Sequence, residues 1–421
     1  MHRTEVVVTG LGAITPLGGD VESTWKALLA GESGIRAGAL PDREDIVAGT
    51  LATDPAASLP PAQARRLDRS QQAALVAAAE AWADAGAPAV DPDRLASAIG
   101  TGIGGVRTLL EQDDVLETSG TRRVSPRTVP MLMPNAAAAL ISIEYGARAG
   151  VYTPVSACSS GAEAIALGAG LIRAGEADVV IAGGTEAAIT PITVAGFAQA
   201  QALSRHTAEP ASASRPFAAD RSGFVLGEGA AVVVLESAEH AAARGARVHA
   251  VLAGAGIAAD AHHITAPAPD GSGQIAAMRK ALAQAGLTPD RISHINAHAT
   301  GTPVGDAAEA RAIRQLFGDR ATVTAPKAAL GHLFGAAGAI EALVAVLSVE
   351  HGVIPPTRNL TAAGVGDDID LDVVAERRDA PQEAVLSNSF GFGGQNVSLV
   401  VTGARHESGT GLGSARVESV Q

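Results

Sequence analysis

The chain has 421 residues, of which 47% are hydrophobic, 18% charged and only 3% aromatic, with 48 glycines. Such a composition excludes a disordered protein, which is charge-rich and apolar-poor, and requires a core of Ala, Val, Leu and Ile with close backbone contacts at glycine, as in layered α/β architecture. The formal net charge of −13 argues against sequence-independent nucleic-acid binding, which needs a basic footprint. Length divided by about 150 gives two to three domains. No early segment joins a positive start and an apolar run to a small-residue cleavage site. The longest apolar stretch, Ala328 to Val349, carries His332 and Glu341, and reads as a buried helix with functional polar groups rather than a membrane span. The expectation is a soluble, cytoplasmic protein that engages neither nucleic acid nor membrane.

In chain order, Thr4 to Thr9 reads as a first strand ending in a turn at Gly10-Leu11-Gly12, followed by a helix over Glu22 to Ala30. A loop over Arg43 to Leu59 precedes a helix over Pro60 to Ala85. Ser97 to Gly100 leads into the glycine loop Gly100-Thr-Gly-Ile-Gly-Gly105, which lacks the full dinucleotide fingerprint and reads as packing or pocket lining. Asp178 to Ala182 and Ala230 to Leu235 are apolar without alternation, as buried strands are. Arg247 to Ile257 begins a second round of the same theme. Further strands are expected at Ile292 to Ala297, Thr322 to Ala325, Ala384 to Ser387 and Val397 to Val401. Val6 to Gly12 resembles Val251 to Ile257, and the small-residue helix after Cys158 resembles the one after His332. Two similar halves divide at residues 248 and 249, and the glycine-rich tail from Arg405 to Gln421 is expected to be disordered.

The single cysteine, Cys158, is either a small buried hydrophobe or a nucleophile. Its setting, Val155-Ser-Ala-Cys-Ser-Ser-Gly161 before an Ala-rich helix, favours the nucleophile. Free N–H groups and the positive helix end favour thiolate there, Ser159 and Ser160 are available as caps, and Gly161 lets the backbone fold tightly. A second segment, Ile295-Asn-Ala-His-Ala-Thr-Gly-Thr-Pro303, leads into Asp306 and Glu309, three apart on one helix face. Taken alone, Asp306 reads as part of a helix start suited to the dipole. A third, Ala325-Pro-Lys-Ala-Ala-Leu-Gly-His332, puts Lys327 and His332 in surroundings too apolar for a solvated face. A fourth, Ser387-Asn-Ser-Phe-Gly-Phe-Gly-Gly394, sets an aromatic between glycines, apt for a gate or an oxyanion site.

Together, Ala157-Cys-Ser-Ser-Gly161, Asn296-Ala-His-Ala-Thr-Gly-Thr302, Pro326-Lys-Ala-Ala-Leu-Gly-His332 and Asn388-Ser-Phe-Gly-Phe-Gly-Gly394 resemble the β-ketoacyl–acyl-carrier-protein synthases from about residue 4 to 403. The likeness is to the elongating Cys-His-His class, with Ser125-Pro-Arg, Met133-Pro-Asn-Ala-Ala and Pro154-Val-Ser-Ala-Cys-Ser-Ser160 similar to the actinobacterial, mycolic-acid-type subgroup. This resemblance implies an α/β, thiolase-like five-layer αβαβα sandwich of two similar halves, in a two-fold homodimer or, alternatively, a heterodimer. It implies acyl transfer from acyl carrier protein to Cys158, with the amides of Cys158 and Phe392 holding the oxyanion. Decarboxylation of malonyl carrier protein and condensation then follow at His298 and His332. Lys327 is expected to position the site, paired with Glu309, with Asp306 supporting.

By the same resemblance Thr300, Thr302 and Thr265 bind the phosphopantetheine arm, Ile103 and Phe197 line the acyl pocket, and Phe392 is the gate. No cofactor is bound covalently, since the phosphopantetheine travels on the carrier. Asn296, Glu341, Ser387 and Asn388 form either a Na⁺ or K⁺ site or a buried polar network. The cluster Arg122, Arg123 and Arg127 is either a dock for the acidic carrier or a solvated loop. A thiolase needs a second cysteine, which this chain lacks. A catalytically inactive chain-length factor would lack Cys158. A serine hydrolase would carry Ser at the equivalent turn. An active ketosynthase of a type II polyketide or specialised-lipid pathway remains the alternative to fatty-acid elongation.

Overall fold

A computed structural model of the chain describes residues 4–40, 45–360 and 364–404. The expected disordered tail, Arg405 to Gln421, lies outside the described residues. Eleven strands share one sheet; numbering only these, they are β1 (Val6–Ile14), β2 (Leu95–Gly100), β3 (Gly150–Tyr152), β4 (Val179–Glu186), β5 (Gly229–Ser237), β6 (Ala250–Ala259), β7 (His294–Asn296), β8 (Thr322–Thr324), β9 (Asp372–Val373), β10 (Ala384–Gly391) and β11 (Gln395–Gly403). Their order is β9-β8-β7-β10-β11-β6-β1-β5-β4-β2-β3.

The order reads the same outward from the middle. On one side β1 pairs antiparallel with β5, β5 antiparallel with β4, and β4 and β2 run parallel with their outer neighbours. On the other, β6 pairs antiparallel with β11, β11 antiparallel with β10, and β10 and β7 run parallel with theirs. Among the described residues the two arrays are strand-paired to each other only at Val7–Val251 and Val8–Ala250. Five helices complete the layers: α1 (Arg69–Asp84), α2 (Ser160–Arg173), α3 (Ser272–Ala285), α4 (Pro303–Phe317) and α5 (Ala337–His351). Helices α2 and α5 pack on each other and on strands of both arrays, while α1 covers β1 and β5, and α3 covers β6 and β11. This is the five-layer αβαβα sandwich of two similar halves. The run Phe334–His351 is long and apolar enough to cross a membrane; here it makes the central layer, because the protein core supplies the apolar surroundings that such a helix needs.

Three expectations change. The first strand does not turn at Gly10-Leu11-Gly12 but runs on to Ile14. Those glycines are needed for close approach: a Cβ on Gly12 would lie 1.9 Å from Ala77 O of α1. The second half repeats the device, a Cβ on Gly256 lying 2.1 Å from Ala277 O of α3. The expected helix over Pro60 to Ala85 breaks into Pro61–Ala64 and α1, because buried Asp68 caps α1 in a box with Gln71. The apolar stretch from Ala328 is not one helix either; His332 forms an isolated parallel bridge with Leu226 ahead of α5, and Glu341 lies within α5.

Since either added methyl would push helix off sheet, Gly12→Ala and Gly256→Ala are each expected to destabilise the fold by about 3 kcal/mol. Thermal melts of the two variants check this, and a change within the error of the melt would show that the helix can retreat freely.

Candidate active site

Cys158 enters the site on a short 3₁₀ turn, Ala157–Ser159, at the start of α2. Ala157 has φ +52°, a conformation that side chains with a Cβ rarely adopt. Two hydroxyls hold the bend. Ser156 N–H donates to Ser160 Oγ (2.9 Å), whose hydroxyl donates to Ala157 O (2.7 Å), and Ser159 Oγ donates to Ser156 O (2.8 Å). Ser159 and Ser160 therefore tie the elbow together, and neither caps a helix N–H as the sequence suggests. Behind the elbow Gly161 does provide room: a Cβ there would lie 2.8 Å from Gly335 O.

His298 follows β7, and the carboxylates of α4 pin its loop from below. Glu309 accepts from His298 N (2.8 Å) and Ala299 N (2.7 Å), while Asp306 accepts from Gly301 N (3.1 Å) and Phe217 N (2.8 Å). Burial pushes Glu309 up to about 7 and Asp306 up to about 6, against the pull of those amides. Glu309 is thus not the partner expected for Lys327. The buried Lys327 ammonium pairs with Glu341 of α5, donates to His298 O (2.5 Å), and lies 3.3 Å from His298 Nδ1. Glu309 is occupied because two backbone amides already claim its oxygens. With Lys327 donating to Nδ1, the proton of a neutral His298 belongs on Nε2.

His332 Nε2 lies 2.9 Å from Cys158 Sγ. Its backbone is fixed on Leu226–Gly227: His332 N donates to Val225 O (2.7 Å) and Gly227 N donates to His332 O (2.8 Å). Its ring is held by two phenyl groups. Phe334 stacks on it (centroids 4.9 Å apart, 21°) and Phe224 meets it edge-on (5.5 Å, 88°). His298 and His332 have ring centroids 5.5 Å apart, and the thiol sulfur and one nitrogen from each ring lie within 4.8 Å of one another. Burial first, and then the Lys327 charge, hold both imidazoles well below their ordinary pKa. Both are neutral.

Burial also pushes the Cys158 thiol up to about 11, although Lys327 and the amides of Phe392 and Cys158 pull it down. The helix end is therefore outweighed by desolvation, contrary to the sequence expectation. Those two amides address the sulfur because the end of β10 presses on the elbow; a Cβ on Gly391 would lie 2.6 Å from Ser156 O. A nucleophile, two neutral N–H donors and two convergent amides form an arrangement suited to acyl transfer through a tetrahedral oxyanion.

The triad opens into a cavity of about 290 Å³ whose walls include Thr265, Thr300, Thr302, Phe390 and Phe392. Thr300 and Thr302 have their hydroxyls 3.0 Å apart. Phe392 is 38% exposed, next to Gly393 and Gly394, both at positive φ. Ile103 and Phe197 lie outside these walls. Phe197 packs on Phe224 and Phe334 in the apolar cluster around Cys158, with Ile189 and Val194. Ile103 is on the glycine loop, 37% exposed.

Asn296 Oδ1, Glu341 Oε2 and Ser387 Oγ are buried without hydrogen-bond partners, a donor set that fits a monovalent cation. Asn388 instead belongs to a polar network, its Oδ1 accepting from Ser398 Oγ (2.8 Å) and its Nδ2 facing Glu309 (3.3 Å). Arg122, Arg123 and Arg127 are exposed. Sequence reasoning missed Phe224 altogether. It also missed Glu186, a carboxylate at the end of a fully buried strand, which was itself a visible signal.

A thiol held at about 11 is expected to react with iodoacetamide at a rate that rises throughout the range pH 7 to 10. Lys327→Met, which removes the nearest cation, should slow the reaction at each pH about tenfold. A plateau below pH 8 would contradict the dominance of desolvation.

Comparison with known proteins agrees with this chemistry. Residues 3–241 match the β-ketoacyl synthase N-terminal domain and residues 249–361 the β-ketoacyl synthase C-terminal domain. A 3-oxoacyl-[acyl-carrier-protein] synthase 2 of Mycobacterium tuberculosis is 46% identical over 94% of this chain and 96% of its own length. Among solved structures, a β-ketoacyl synthase from Burkholderia phymatum superposes with a TM-score of 0.87 at 35% identity, covering 96% of this chain and 100% of the other. A type II polyketide ketosynthase, in complex with its acyl-carrier protein and bound to a hexaketide, gives 0.88 at 29%, with coverage of 96% and 100%. With its fold, its Cys-His-His cluster and these relatives in agreement, the chain belongs to the β-ketoacyl synthase family.

Proposed function

We propose that this protein is a β-ketoacyl-acyl-carrier-protein synthase of fatty-acid elongation, acting in the cytoplasm on acyl and malonyl carrier proteins. The observation that carries the reading is the 2.9 Å contact between Cys158 Sγ and His332 Nε2, with neutral His298 alongside. The Cys158 sulfur attacks the acyl thioester; the thiol proton passes to the departing carrier sulfur, which leaves as the free thiol, and the acyl group remains on Cys158 while His332 keeps its own Nε2 proton. The amides of Cys158 and Phe392 hold the oxyanion. Malonyl carrier protein then enters, and its thioester oxygen accepts N–H bonds from His298 and His332. Loss of carbon dioxide leaves an enolate, whose carbon attacks the acyl-cysteine; the bond from the acyl carbon to the Cys158 sulfur breaks, 3-oxoacyl carrier protein is released, and the thiolate takes a proton from water to restore the thiol. Neutral imidazoles suit this step, because they donate N–H without neutralising the developing carbanion by proton transfer.

Lys327, with its charge balanced by Glu341, holds His298; Glu309 and Asp306 hold the loop that carries it. Thr300, Thr302 and Thr265 bind the amides of the phosphopantetheine arm, and Phe392 gates the cavity. Ile103 and Phe197 border the acyl chain. A Na⁺ or K⁺ ion would be held by Asn296, Glu341 and Ser387, supplying positive charge to a buried carboxylate. The halves divide at residues 248 and 249, the second half ending at 404. Arg122, Arg123 and Arg127 offer the acidic carrier a docking surface, and the enzyme works as a homodimer. The match to a polyketide ketosynthase supports a second reading: the same chemistry in a type II polyketide or specialised-lipid pathway, with a heterodimeric partner.

Intact-protein mass after incubation with acyl carrier proteins of increasing chain length tests the reading. A gain equal to the acyl group, absent in Cys158→Ala, is expected, with long saturated chains preferred if elongation is the pathway. Condensation retained by Cys158→Ala would overturn the mechanism, and no gain with any chain would favour the heterodimeric alternative. Phe392→Ala is expected to lower steady-state turnover about tenfold while Cys158 still loads; an unchanged rate would remove Phe392 from the gate.

A further inference from the structure

Glu186 ends β4 as a fully buried carboxylate, and no cation faces it among the described residues. Its partners are donors from two separate loops. Gly102 N–H (2.6 Å) and Ile103 N–H (3.3 Å) come from the glycine loop after β2, with Thr101 Oγ1 (3.2 Å); Gly335 N–H (3.2 Å) comes from the turn between His332 and α5. One carboxyl group thus fastens the turn of the C-terminal half to a loop of the N-terminal half. The packing there is tight: a Cβ on Gly102 would lie 2.7 Å from Glu186 Oε2, and one on Gly335 would lie 2.3 Å from Gly102 N.

The residue next to Gly335 is Phe334, at φ +45°. A bulky residue stays in that region only where its surroundings over-determine it, since the conformation costs roughly 1–3 kcal/mol. Phe334 in turn stacks on the His332 ring. That stacking matters because His332 Nδ1 is buried with no hydrogen-bond partner. A catalytic histidine is commonly oriented through its second nitrogen; here the ring is oriented by packing, and one of the two phenyl rings that pack on it depends on the Gly335 anchor.

We propose that Glu186 is a positioning residue for His332, acting through the Gly335 amide and the Phe334 ring to keep His332 Nε2 on the Cys158 sulfur. Glu186→Gln keeps the shape but turns one acceptor into a donor facing N–H groups, so the anchor is lost while the packing volume is retained.

The primary measurement is iodoacetamide alkylation of Cys158 at pH 9, which needs neither carrier protein nor turnover. Glu186→Gln is expected to alkylate about tenfold more slowly than the wild type at an unchanged far-UV spectrum; an equal rate overturns the proposal. The second measurement rests on the condensing reading above: a double-mutant cycle on kcat with Phe334→Leu. If Glu186 acts through Phe334, the double variant is no slower than the slower single variant, and the KM for malonyl carrier protein stays within about twofold. Multiplying losses, or a loss confined to KM, overturn it. Should Glu186→Gln fail to fold, Thr101→Val removes one donor and is expected to slow alkylation about threefold, an unchanged rate again overturning the proposal. A wild type that alkylates but condenses no acyl carrier protein would sink the functional reading and leave the alkylation test of Glu186 intact.

Discussion

Everything at this site depends on a contact between the two halves that leaves no room for a β-carbon. Gly335, in the turn that follows His332, presses its carbonyl against Gly161 behind the nucleophile and against Gly184 of β4, where an added Cβ would lie only 2.4 Å away. Cys158 lies in the stretch that matches the N-terminal domain and His298 and His332 in the stretch that matches the C-terminal one, so the 2.9 Å separation of sulfur and imidazole is a distance between the two. Backbone against backbone is a stiff contact, since interiors are close-packed and main-chain atoms have no rotamers to yield. The reacting groups therefore inherit their spacing from the fold rather than from the reach of flexible side chains.

Dryness is the second consequence of that closeness. The same burial that raises the thiol lowers both imidazoles, so the resting site holds neutral partners around one balanced ion pair, Lys327 with Glu341. Removing one member of such a pair would strand a buried charge, which typically costs about 3–5 kcal/mol. The other buried carboxylates follow a different rule. Glu309, Asp306 and Glu186 each accept from backbone amides of loops rather than chiefly from cations. They act as acceptor ties, each holding a segment that has no regular secondary structure to hold it.

The grouping of these side chains was legible in the sequence because they sit in short local motifs: the cysteine at a helix entry, the histidine before small hydroxyl residues, the Lys-to-His segment, the aromatic between glycines. The repeat was legible too, since Val6 to Gly12 and Val251 to Ile257 share their glycines. What escaped was set by partners far away in the chain. Gly10 and Gly12 look like a turn until α1 is laid across them, some sixty-five residues later. Lys327 has two acidic candidates, Glu309 and Glu341, and only the packing of α4 under the His298 loop decides between them. Ser159 and Ser160 sit where caps belong, yet the bend at Ala157 turns their hydroxyls back on the elbow. Glu186 lies in an apolar strand whose period says only that it is buried; its use appears when loops from both halves meet over it.

The distribution of aromatic residues carries the same logic one step further. The chain has only seven phenylalanines, and five of them, Phe197, Phe224, Phe334, Phe390 and Phe392, line the cavity or pack on rings that do. A core built from Ala and Val does not need them, because small side chains allow helices and strands to approach closely. A flat, rigid ring is needed where another flat ring must be held at a set angle without a hydrogen bond. His332 is such a ring. A polar partner on Nδ1 would set its tautomer and raise its basicity; phenyl faces orient it and leave its pKa low. Packing the His332 imidazole between aromatics thus reconciles two demands that a hydrogen bond would set against each other: a fixed direction for Nε2 and a neutral ring.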